Sequence, residues 1–93
     1  AYLSPQERRA ARALWRALEA AAGEARGGVR DARRLERAME EVCRAEPLVR
    51  LQYAAVVDAE TLQRLGELGD RPARALIAAR VGETRLIDNA ALP

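Results

Sequence analysis

The side chains that could do chemistry in this sequence are arginines, acids and one thiol. The chain has 16 basic residues, all of them arginine, against 14 acidic residues, and it contains no lysine and no histidine. Without histidine there is no base for a serine or cysteine nucleophile and no imidazole ligand for a metal, and without lysine there is no Schiff base or P-loop amine. The sequence therefore predicts no catalytic residue and no metal site.

A first group of arginines crowds one predicted helix near its start. Arg8 and Arg12, together with Arg9 and Arg16, are candidates for binding an anion. The positive end of the helix dipole disfavours cations there, and like charges four residues apart repel. Either the group faces phosphates or an acidic partner surface, or it is a solvated face. The solvated face is the favoured interpretation, because exposed charges contribute little to stability.

The second group is the pair Arg80 and Arg85, which flanks the stretch "VGET" at 81–84. A two-residue loop that begins with glycine predicts a type II′ hairpin, which places Arg80 directly opposite Arg85. Like charges in that position are destabilising. The pair therefore awaits a phosphate or an acidic partner surface, or, as favoured here, it binds a carboxylate of the preceding segment: Asp58, Glu67 or Asp70.

Composition also indicates where the chain works. The single cysteine, Cys43, cannot form an internal disulfide, and the sequence shows no signal peptide and no long apolar run, which predicts a cytoplasmic protein that does not bind membranes. Cys43 has only arginine as a basic neighbour, so a core position is favoured over a reactive one. With three aromatic residues and a net charge of +2, the chain is not expected to bind nucleic acid.

Two helices are predicted first. Ser4 as N-cap, Pro5 at the first helical position and Glu7 as the second member of a capping box begin the first helix, which ends at Gly27-Gly28. Its predicted buried stripe is Ala11, Leu14, Trp15, Leu18, Ala21, Ala22 and Ala25. Asp31 caps the second helix, which ends before Pro47 and has as its predicted stripe Leu35, Ala38, Met39, Val42 and Cys43.

Three strands follow, at 49–57, 75–81 and 84–88, with one helical turn expected within 60–65. Helices grouped before an antiparallel sheet predict a single α+β domain over 1–93, in the order α-α-β-β-β, with the two helices packed on one sheet face. Both sheet edges should be exposed. The second face is expected to bear Ala54, Val56 and Ile87 and to offer a surface for a partner domain.

Three stretches carry a family resemblance: "AYLSPQER" at 1–8, "AEPLVRLQYAAVVDAETLQRL" at 45–65 and "RVGETRLIDN" at 80–89. In order and spacing they resemble the C-terminal domain of the pantoate-β-alanine ligase (pantothenate synthetase) family. One departure is Glu83, where the family often has lysine.

The resemblance implies a lid over the active site of an enzyme that joins pantoate to β-alanine with ATP and Mg²⁺. The reaction would pass through a pantoyl-adenylate and release AMP and pyrophosphate. The implied partners are a larger N-terminal, Rossmann-like catalytic domain that ends just before Ala1 and is absent here, and a second subunit of a homodimer. The chain alone would then be inactive and hold no cofactor. The alternative is a free-standing interaction or nucleic-acid-binding module.

Overall fold

The computed structural model describes residues 2–93 and has the expected order of two helices followed by three strands. The elements are α1 Pro5–Arg26, α2 Ala32–Arg44, β1 Val49–Asp58, β2 Ala73–Val81 and β3 Thr84–Leu92. The strands form one antiparallel sheet in the order β1-β2-β3, and both helices pack against it. The predicted α+β fold is confirmed, and Ala1 lies outside the described residues.

The start and end of α1 follow the sequence signals. The Ser4 side chain accepts a hydrogen bond from the Glu7 amide at 3.1 Å, and the Glu7 carboxylate accepts one from the Ser4 amide at 2.8 Å. This capping box satisfies two amides at the helix start. The helix ends at Gly27, and Gly28 follows with a φ of +103°.

The buried face of α1 is rotated from the predicted one. Trp15 was expected in the core but is 61% exposed, and Ala11 is only partly buried. Alanines on both sides of the stripe made its centre ambiguous, and the small side chains point inward because they allow close packing. The buried residues of α1 are Ala10, Ala13, Leu14, Ala17, Leu18, Ala21, Ala22 and Ala25.

A β-bulge in β1 sets which residues of this strand face the helices. The pairing with β2 shifts between Leu51 and Tyr53, so Gln52 is an extra residue. Alternation therefore changes phase, and Ala54 and Val56, which were expected on the second face, belong to the core at 4% and 0% exposure.

The other side of the sheet, which we call the open face, has no helix packed on it. The register places these residues there: Arg50, Tyr53, Ala55, Val57, Arg74, Leu76, Ala78, Arg80, Arg85, Ile87 and Asn89. Ile87 is 60% exposed, as the sequence predicted.

The segment between β1 and β2 covers part of the β1 edge. The Leu65 amide donates to the Val56 carbonyl oxygen at 2.9 Å, and the Glu36 carboxylate of α2 accepts a hydrogen bond from the Val56 amide at 3.0 Å. The expectation of two exposed edges is therefore wrong for β1. The expected helical turn within 60–65 is also absent, because this backbone bonds to the strand edge instead of to itself.

The β2–β3 hairpin has the expected two-residue turn. Gly82 has a φ of +61° and Glu83 has no positive φ, which fits type II′. A side chain at position 82 would collide with the Glu7 carboxylate. The hairpin turn therefore packs directly against the capping box of α1.

Candidate functional site

Three arginines lie side by side across the open face, near the hairpin turn. Arg50 of β1 pairs with Arg80 of β2, and Arg80 pairs with Arg85 of β3, so each strand contributes one. All three are exposed. We call this set the arginine row. The predicted opposition of Arg80 and Arg85 is confirmed, and Arg50 extends it to the third strand.

Neutral oxygens hold two of these side chains in place. Arg85 Nε donates to Gln52 Oε1 at 2.7 Å, and Arg80 Nη1 donates to the backbone carbonyl oxygen of Glu83 at 3.2 Å. The bulge explains the first contact, because the extra residue Gln52 reaches across β2 to β3 on the open face. These bonds orient the guanidinium groups and leave their charges uncompensated.

The carboxylate that was expected between Arg80 and Arg85 is not there. Within residues 2–93, no carboxylate oxygen lies within 4.0 Å of the arginine row. Asp58 instead pairs with Arg71 at 3.2 Å. The reason is topological: Asp58 ends β1 eight residues after Arg50, about 26 Å along the strand, so the segment that follows starts from the other end of the sheet.

A depression of about 510 Å³ adjoins the arginine row. Its lining consists of Arg50, Leu51, Gln52, Arg80, Gly82 and Glu83. The depression is open to solvent and mostly polar. It can therefore receive a hydrated, charged group better than an apolar one.

Apolar side chains form the next row of the open face. Tyr53 and Ile87 flank Ala78 in the sheet, with exposures of 41% and 60%. Farther along, Arg74 donates two hydrogen bonds to the side-chain oxygen of Asn89, at 2.7 and 3.0 Å. The open face thus combines uncompensated charge at one end with exposed apolar surface beside it.

Arg8 and Arg12 are not part of this arrangement. Both are exposed on α1, in the helical layer, and neither forms an ion pair with any residue of 2–93. Because α1 begins beside the hairpin turn, they lie toward the same end of the molecule as the arginine row. The four sequence candidates thus fall on two separate surfaces.

Glu36 is a buried acid that the sequence analysis missed. It is 3% exposed, and its carboxylate binds Arg64 at 2.8 Å, Arg33 at 3.3 Å and the Val56 amide at 3.0 Å. Its position next to Leu35 in the α2 stripe was the available signal. Glu36 fixes α2 to β1 and to the segment after β1, which is a structural role.

Asp58 organises the turn that follows β1. One carboxylate oxygen accepts hydrogen bonds from the amides of Glu60 at 2.8 Å and Thr61 at 3.0 Å. These bonds, with help from the nearby charge of Arg71, lower the pKa of Asp58 below its ordinary value. The next residue of the turn, Leu62, is exposed and has a φ of +63°, a strained conformation for leucine.

Cys43 lies in the core at 1% exposure, and burial raises the pKa of its thiol, opposed by the charge of Arg16. The favoured core position is confirmed. Residues 2–93 contain no group of three or more metal-ligating side chains. Nor do they include a helix long and apolar enough to cross a membrane.

Comparisons with known proteins agree in both sequence and structure. The family model described as pantoate-beta-alanine ligase matches residues 1–91. A pantothenate synthetase of Roseiflexus sp. is 46% identical over 98% of this chain, and one of Acidobacterium capsulatum is 50% identical over the same share. The chain spans only 32% and 30% of those two proteins.

A solved structure of pantothenate synthetase from Thermus thermophilus has the same fold. It superposes with a TM-score of 0.90 at 42% identity, over 99% of this chain and 33% of that one. Sequence and fold together show that the chain belongs to the pantoate-β-alanine ligase family.

Proposed function

We propose that this chain is the C-terminal domain of a pantothenate synthetase and serves as the lid of its active site. The observation that carries the proposal is the match along nearly the whole chain to about one third of full-length synthetases. The remaining two thirds would contain the Rossmann-like catalytic domain. The whole enzyme would be a cytoplasmic homodimer.

The proposed reaction has two steps. The pantoate carboxylate attacks the α-phosphorus of ATP, so that a new phosphorus–oxygen bond forms, the α,β-anhydride bond breaks and pyrophosphate leaves. The β-alanine amine then attacks the acyl carbon of the pantoyl-adenylate, and AMP leaves with the broken acyl–oxygen bond. Pantothenate is the product, and the amine proton passes to solvent or a base.

The chain would contribute exclusion of water rather than acid–base chemistry. An acyl-adenylate hydrolyses when water reaches it, so a domain that covers the site protects the intermediate. The chain has no histidine and no lysine, and its one thiol is buried with a raised pKa. None of its groups is suited to proton transfer near neutral pH.

ATP and Mg²⁺ would be bound mainly outside this chain. A Mg²⁺ ion needs oxygen ligands in octahedral geometry, and residues 2–93 present no acidic cluster that could supply them. The ion fits these residues poorly, so none of them is assigned to it.

The test compares this chain with a full-length synthetase that ends in it. Both purified proteins are incubated with ATP, Mg²⁺, pantoate and β-alanine, and pantothenate is measured. We expect product from the full-length enzyme only. Circular dichroism of the chain alone controls for misfolding, and pantothenate formation by the folded chain would refute the lid assignment.

A further inference from the structure

The arginine row has the features of an unfilled anion site. Like charges directly opposite each other in a sheet are unfavourable, and here three of them occupy neighbouring strands. No carboxylate of residues 2–93 compensates them. We propose that Arg50, Arg80 and Arg85 form a binding site for a polyphosphate, a chain of two or more linked phosphate groups.

The width of the row suits a ligand of that class. Neighbouring strands are about 4.8 Å apart, so the Cα atoms of Arg50 and Arg85 are separated by about 10 Å. A single phosphate can satisfy one or two guanidinium groups, whereas linked phosphates place several anionic oxygens along the row. Each guanidinium offers a planar fork of donors that matches two phosphate oxygens.

Preorganisation supports the same ligand. Gln52 holds Arg85, and the carbonyl oxygen of Glu83 holds Arg80, so two of the three groups are already positioned. Neutral acceptors orient an arginine without neutralising it. A ligand therefore meets full positive charge and loses less side-chain entropy on binding.

The depression provides room beside the charges. Its volume of about 510 Å³ is bounded by Arg50 and Arg80 on one side and by the turn residues Gly82 and Glu83 on the other. Glu83 contributes a negative charge at the rim, which disfavours anions locally. The polyphosphate is therefore expected to lie over the row, away from the Glu83 carboxylate.

The natural source of the ligand depends on the proposed function. In a synthetase the polyphosphate is either the triphosphate of ATP or the pyrophosphate released from it. The lid would then hold these phosphates from the side opposite the catalytic domain. Binding by the chain alone does not depend on that assignment and can be measured without any enzymatic activity.

The experiment titrates the 93-residue chain with inorganic pyrophosphate at low ionic strength. Binding is followed by calorimetry and by amide chemical shifts in NMR spectra. The test variant is Arg80→Gln. The matched control is Arg37→Gln, which removes one exposed charge of α2 that has no ion pair within residues 2–93.

We expect saturable binding, with shifts concentrated in the arginine row. Arg80→Gln should weaken it about tenfold, the loss expected for a charge-assisted hydrogen bond, while Arg37→Gln should change it less than about twofold. Equal weakening by both variants would show a nonspecific charge effect and overturn the proposal. So would the absence of saturation at millimolar pyrophosphate.

Two further ligands identify the source and test the class. Tighter binding of ATP than of pyrophosphate would assign the site to the substrate, and the reverse order would assign it to the product. AMP, with one phosphate, should bind at least about tenfold more weakly than either, because it cannot reach both ends of the row. Equally tight binding of AMP would refute a polyphosphate site.

Discussion

At the scale of single residues, the charged side chains of this chain divide into two kinds. Glu36 and Asp58 are buried acids whose oxygens are all engaged with arginines and backbone amides. The arginine row, in contrast, is exposed and lacks acidic partners within residues 2–93. The first kind fixes the fold, and the second is available for a ligand.

Asp58 makes stability depend on pH in a definite direction. Its folded-state pKa lies below the ordinary value of 3.8, so its contribution to stability is complete above about pH 4 and is lost as the pH falls through the folded-state pKa. Asp58→Asn should therefore be less stable than wild type near neutral pH. The difference should shrink in acid.

Urea denaturation between pH 7 and about pH 2 measures this difference. Asp70→Asn is the control, because Asp70 is exposed and forms no ion pair within residues 2–93. A constant difference between wild type and Asp58→Asn across this range would contradict the expectation.

At the scale of secondary structure, the contact between the α1 start and the β2–β3 turn links the two layers. Glu7 accepts the Ser4 amide and also fills the space where a side chain at position 82 would lie. One carboxylate thus defines both the helix start and the limit on the turn.

Removing the cap tests the first half of this link. Ser4→Ala should lower the free energy of unfolding by about 1 kcal/mol, because the Glu7 amide loses its side-chain acceptor. Ser4→Asp keeps an acceptor at the same place and should retain most of the stability. If both variants denature at the wild-type midpoint, the helix start is frayed in solution.

Gly82→Ala tests the second half. Alanine is strained at a φ of +61°, by about 1–2 kcal/mol, and its Cβ would displace Glu7. Gly66→Ala is the control, since a Cβ there meets nothing within 4 Å. We expect destabilisation only at position 82, measured by chemical denaturation. Equal stability of the two variants would mean that the turn relaxes without penalty.

The sequence predicted these elements better than their rotation and phase. Capping signals and the glycine turn are local, so the bounds of α1 and the opposition of Arg80 and Arg85 could be predicted. The bulge at Gln52 could not, because an extra residue leaves no mark on an alternating pattern. Likewise, the exposure of Trp15 depends on which face of an alanine-rich helix packs closest to its neighbours, and that is a tertiary effect.

At the scale of the whole molecule, the core is one continuous cluster between the helices and the sheet. Cys43 belongs to it, and burial raises the pKa of its thiol. The anionic thiolate is the reactive form, and no reagent can reach it while the core is closed.

Alkylation of Cys43 should therefore report on opening of the whole domain. We expect slow labelling by iodoacetamide in native buffer, with a rate that rises with urea in parallel with global unfolding. Free cysteine in the same buffer is the reference for the intrinsic rate. Fast labelling that does not respond to urea would indicate a local opening of α2.

The candidate site was predictable only in part at this scale. Arg80 and Arg85 followed from the hairpin register, but Arg50 joins them through the pairing of β1 with β2, which involves residues 30 positions apart in the sequence. The expected carboxylate failed for the same reason, because the position of a long connecting segment depends on the end of the sheet from which it starts.

The bulge also limits which length changes this strand can accept over evolution. Deleting Gln52 would restore simple alternation and exchange inside for outside over the remainder of β1. Tyr53 and Val57 would turn toward the helices, where Ala54 and Val56 now fit, and Arg85 would lose its acceptor. Homologous sequences aligned to this chain should therefore carry substitutions at position 52 far more often than gaps.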